Sequence, residues 1–156
     1  MDKEKLIPYI VQLVILFISY QLGRFQMKNK YILDKLEERY SKAYVPYVTK
    51  LYDFYWSNLS PLHNYNYYNR YVLYFSQNLQ YFDHGVVEKY CKFYELFCET
   101  YYSPWHNTNR DEDMRGHLLI AFEHLNSAIL KEALKISNEL KLPPLAKALM
   151  DKRWPR

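Results

Sequence analysis

Between Lys5 and Arg24 the chain reads LIPYIVQLVILFISYQLG, eighteen residues without a charge. As a helix this run extends about 27 Å, close to the roughly 30 Å hydrocarbon core of a bilayer. Tyr9 stands near one end, and Tyr20 and Phe25 flank the other, as an aromatic belt would. Pro8 falls in the first turn, where a missing N–H costs little. A secretory signal needs a small-residue cleavage site after its apolar stretch, and here the exit reads SYQLGRFQ. A buried core helix shows a polar stripe, whereas only Gln12, Ser19 and Gln21 interrupt this run. The expectation is a short N-terminal tail over 1–5 and a transmembrane helix over 6–23. Gln12, near mid-bilayer, calls for a partner and points to helix association there. Lys3 and Lys5 precede the span, while Arg24, Lys28, Lys30, Lys35, Arg39 and Lys42 follow it. That asymmetry places the C-terminal domain in the cytoplasm.

The remaining residues of this 156-residue chain suffice for one domain with a real core. Only 3 Gly and 7 Pro favour long elements over tight turns. The net charge of +4 is too small to argue for nucleic acid, and none is expected as a partner. Cys91 and Cys98 stand seven apart, which on a helix separates their Cα atoms by about 10 Å, beyond the ~7 Å reach of a disulfide. They read as two small core residues.

Helical periodicity runs through the rest. The stripes are 33, 36, 40, 44, 47, 51 and 55; then Tyr68, Tyr71, Phe75, Leu79 and Phe82; then Val87, Tyr90, Tyr94, Phe97 and Tyr101. The last is Leu118, Phe122, Leu125, Ile129, Ala133, Ile136 and Leu140. These predict helices over about 31–58, 65–82, 86–102 and 111–140, forming a cytoplasmic bundle over 24–140. Pro46 should kink the first by removing the N–H that would bond to the Lys42 carbonyl. Asp83-His84-Gly85 reads as a short turn. Ser60-Pro61 and Ser103-Pro104 each read as an N-cap followed by Pro at the first helical position. The fold class expected is all-α: a transmembrane helix, then an antiparallel four-helix bundle, then a short C-terminal helix or basic tail over 141–156. That tail reads as a solvated C-terminus, with Leu145, Leu149 and Trp154 available to a bilayer surface.

An internal repeat divides the bundle. SPLHNYN (Ser60 to Asn66) returns as SPWHNTN (Ser103 to Asn109), identical at five of seven positions. Upstream, KLYDFYW (Lys50 to Trp56) matches KFYELFC (Lys92 to Cys98). This reads as two related helical hairpins with equivalent connectors. In an up-down-up-down bundle those connectors share the membrane-distal end. His63, Asn64, Asn66, His106, Asn107 and Asn109 would gather there, as helix caps or as a small-ligand or metal sensor. Zinc needs three or four ligands, and no third is evident, so no metal or cofactor is expected.

The chain lacks HExxH, the di-iron ExxH pair, GxGxxG, a P-loop and GxSxG. His117 and His124 lie beside the last apolar stripe as boundary residues. The Tyr-rich YNYYNRYVLYFSQNLQYF contains Arg70 as its only cation, so it reads as core or as a homo-oligomer contact rather than a base-stacking platform. RDEDMRGH, Arg110 to His117, resembles the Arg-to-His signature of HEPN-domain ribonucleases, which are all-α and pair two such motifs across a dimer. The resemblance covers eight residues and their helical setting. It implies Arg110 and His117 as RNA-cleaving residues with Asp111 assisting. The reading preferred on the whole sequence is a non-catalytic, single-pass membrane protein. Its partners would be the bilayer and either a second copy or an unknown protein.

Overall fold

The computed structural model describes residues 3–56, 65–102 and 108–150, with side chains at 9, 11–52, 65–102 and 113–150. Every regular element among them is helical, and no strand occurs. The order is α1 (Lys3–Arg39), a π-turn (Tyr40–Tyr44), α2 (Val45–Trp56), α3 (Tyr65–Asn78), a 3-10 turn (Leu79–Tyr81), α4 (His84–Tyr102), α5 (Thr108–Glu139) and α6 (Leu145–Met150). The chain divides into two units, Met1–Leu36 and Glu37–Arg156.

The first unit is helical throughout its described length. Its apolar side chains from Val11 to Leu22 are all exposed. The span expected over 6–23 and the helix expected from about 31 are one continuous helix, because after Gly23 no proline or cap stops it before Arg39. Among the described residues no helix is long and apolar enough to cross a membrane. The uncharged run begins at Leu6, ahead of the continuously described side chains, so the span expected over 6–23 is not shown.

The second unit has α5 at its centre. α4, the π-turn and α6 all pack against it, and α6 also touches α2. The core face of α5 follows the expected stripe, with Leu118, Phe122, Leu125, Ile129, Ala133 and Ile136 buried. α3 reaches its neighbours through rings: Tyr47 of α2 lies 5.6 Å from Tyr71 and 5.4 Å from Phe75, and Phe75 lies 4.8 Å from Tyr90 of α4. Phe122 joins three elements, at 4.9 Å from Tyr71 and 5.4 Å from Phe93. Edge-to-face and offset rings of this kind add to what their burial alone contributes.

Several expected boundaries move. The break attributed to Pro46 takes the form of the π-turn just before it, where the Val45 N–H reaches back to the Tyr40 carbonyl. Proline has no N–H for the Lys42 carbonyl, so the α-helical ladder has to be interrupted here. Asp83-His84-Gly85 is not a turn. α4 starts at His84, and the Asp83 carbonyl accepts from the N–H groups of Val86 and Val87, both at 3.0 Å. The buried face of α4 is Val86, Tyr90, Phe93 and Phe97, so Tyr94, placed on the expected stripe, is exposed. Leu33 and Leu79, also placed on stripes, are exposed as well. Residues 145–150 are not a solvated tail. α6 buries Ala146 and Leu149, and the Tyr52 hydroxyl donates to the Leu145 carbonyl at 3.3 Å. Leu149 is therefore not available to a bilayer surface.

Candidate functional site

The repeat falls on equivalent faces. Leu51 in α2 and Phe93 in α4, matched at a shift of 42, are both fully buried. The residues flanking the two connectors meet. The hydroxyl of Tyr65, which starts α3, lies 2.6 Å from that of Tyr102, which ends α4. Tyr65 also stacks on Phe97 at 5.7 Å. The opposite end of the unit is marked by Arg39, whose Nε donates to the Tyr81 carbonyl at 2.7 Å, and by Tyr40, whose hydroxyl donates to the Pro143 carbonyl at 3.4 Å. The start of α3 and the end of α4 thus lie together at one end of the second unit. His63, Asn64, His106 and Asn107 lie outside the described residues, as do the two Ser-Pro caps. Asn66 is exposed on α3.

Inward from that end lies a buried tyrosine cluster contributed by α2, α3 and α4 and packed against Phe122 and Asn126 of α5. The Tyr47 hydroxyl donates to Oδ1 of Asn126, a polar side chain fully buried on α5. Asn126 Nδ2, Tyr68 OH and Tyr101 OH are buried without a hydrogen-bond partner among the described residues. Burial raises the hydroxyl pKa of Tyr67 and Tyr68 well above the usual tyrosine range, and neighbouring hydroxyls add to the effect. Burial pushes Tyr44 and Tyr74 up to about 12. The cluster is therefore neutral at physiological pH. It supplies hydrogen-bond donors and ring surface but no general base. Asn126 was missed in the sequence, although it sits four residues past Phe122 and three before Ile129, on the core stripe itself.

On the outer side, α4 and α5 enclose an open groove of about 700 Å³. Its walls carry Glu88, Glu95, Cys91, His117 and His124. Among the described residues no group of three or more His, Cys, Asp or Glu side chains could hold a metal ion. His117 and His124 are exposed rather than half-buried at the edge of the core stripe. Arg110 and Asp111 lie on α5 with His117, and the side chains of both are outside the described residues. Cys91 and Cys98 are free thiols. Cys91 is exposed and Cys98 half-exposed, so the core role expected for them does not hold. No protein-family model, no curated protein and no solved structure matches the chain.

Proposed function

We propose that this chain is a single-pass membrane-anchored helical protein that works through protein–protein contact, by self-association or by holding a partner at the membrane, and not through catalysis. The observation that carries the reading is α1. Its uncharged run from Leu6 to Gly23 is helical, and from Val11 to Leu22 it exposes apolar side chains on all sides. A helix apolar all round is stable only when lipid or protein covers it. The basic residues after Gly23 support a cytoplasmic second unit, by the positive-inside rule. The finer architecture belongs to the same proposal: α2, α3, α4 and α5 form an antiparallel four-helix bundle of two related hairpins. Its support is the meeting of Tyr65 with Tyr102 and the matched burial of Leu51 and Phe93.

The test is fractionation of cells making the full chain. Wild type should stay in the membrane pellet through alkaline carbonate. Leu16→Arg should release a large part of it, since an arginine at mid-span costs about 2.5–3.5 kcal/mol of insertion. Recovery of intact wild type in the detergent-free soluble fraction contradicts the reading.

A further inference from the structure

A second pattern runs along α1. Steps of four and three residues connect Val11, Ile15, Ile18 and Leu22, all apolar. The same steps continue through Phe25, Asn29, Ile32 and Leu36, apolar except for Asn29. Alternating steps of four and three repeat every seven residues, the period that keeps one seam facing a partner helix in a left-handed supercoil. The half after Gly23 is the diagnostic one, because there α1 is no longer apolar all round. Arg24, Lys28, Lys30, Asp34, Lys35 and Glu37 all fall off the seam, while Phe25, Ile32 and Leu36 remain on it. A lipid-facing helix needs no such separation, and this half lies beyond the uncharged run. The seam is open in the single chain, with Phe25 62% and Ile32 45% exposed. The unit that holds it consists of α1 and has no second element with which to cover it.

We infer that α1 pairs in parallel and in register with the α1 of another copy of this chain, along the seam from Val11 to Leu36. Asn29 determines both the occupant and its direction. Its side-chain amide both donates and accepts, so in a parallel, in-register pair it meets its own copy and both amides are satisfied. In an antiparallel pair, or against a uniformly apolar partner helix, the same amide would face hydrocarbon and lose its hydrogen bonds. Single polar residues in such seams set register at a cost in stability, and the seven apolar positions around Asn29 offset that cost. This rests on the self-association branch of the functional reading, but it does not require the bilayer.

The experiment uses the full chain with Cys91→Ser and Cys98→Ser, purified in mild detergent. A single cysteine is placed on the seam (Ile32→Cys) or off it (Asp34→Cys), and air with copper–phenanthroline oxidises paired thiols. Two facing Cβ atoms on a parallel seam satisfy disulfide geometry, and outward ones do not. The expected result is a disulfide-linked dimer for Ile32→Cys, none for Asp34→Cys, and a light-scattering mass of two or more 19.1 kDa chains for the unsubstituted protein. A single-chain mass, or equal cross-linking at the two positions, overturns the inference. Vesicle flotation run in parallel separates the two claims. Cross-linking without flotation removes the membrane reading and leaves the pairing. Flotation with a single-chain mass removes the pairing alone.

Discussion

Asn126 and Tyr47 show how individual residues specify this core. The amide is buried to zero exposure and its Oδ1 takes the Tyr47 hydroxyl, so that oxygen and that hydroxyl satisfy each other where water cannot. Removing one partner strands the other, and removing both does not. Tyr47→Phe should therefore lower stability by about 1–3 kcal/mol, by denaturant unfolding of the full chain in detergent. Tyr47→Phe combined with Asn126→Leu should cost less than the sum of the two single changes. Additive costs would show that the bond is not made. The tyrosine share of the sequence announced rings in the core. It did not announce which hydroxyls would find partners, because that depends on residues far apart in sequence, as 47 and 126 are.

Elements were legible where the signal was periodic and long. The α5 stripe appeared as expected from Leu118 to Ile136, where six apolar positions at helical spacing leave one solution, while Leu140 falls past the helix end and is half-buried. α4 was misplaced by one residue along its face because Val86 and Val87, and Phe93 and Tyr94, are adjacent apolar pairs. Periodicity cannot choose within such a pair, and packing against α5 and the rings of α3 chose the first of each. The π-turn was half legible: Pro46 marked the place, but propensity alone could not distinguish a kink from an inserted turn. α6 was legible only as one of two alternatives, helix or tail, because six residues are too few to form a helix without tertiary support. Its stability must then come from docking, and Leu149 is the side chain that docks. Leu149→Ala should cost about 2–5 kcal/mol, and Leu145→Ala, at an exposed site, about 0.5 kcal/mol or less. Thermal unfolding that ranks the two variants equally would show that α6 is not packed as described.

The molecule as a whole should carry an alkaline limit. Burial pushes the Tyr44, Tyr74 and Tyr90 hydroxyls up to about 12, from an ordinary value of 10.0. Up to the ordinary value these groups are neutral in both states. Above it the unfolded chain loses protons that the folded chain keeps, so the unfolded state binds fewer and stability falls as pH rises. The loss should begin near 10 and be complete past about 12. Absorbance of tyrosinate should show part of the 18 tyrosines ionising only as the protein unfolds. One smooth titration near 10, with no accompanying unfolding, would contradict the burial of these hydroxyls. The connectors lie outside the described residues, so the site expected at His63 and His106 falls there too. The heptad seam was hidden for another reason: between Leu6 and Gly23 nearly every position is apolar, so any seam can be drawn there, and only the charged half singles one out.

The account turns on what covers α1. Purified full-length chain, freed of detergent in the presence of lipid vesicles and spun through a density gradient, should float with the vesicles. Leu16→Arg should float less. Full-length wild type that stays at the bottom of the gradient, folded and free of lipid, would contradict membrane anchoring directly.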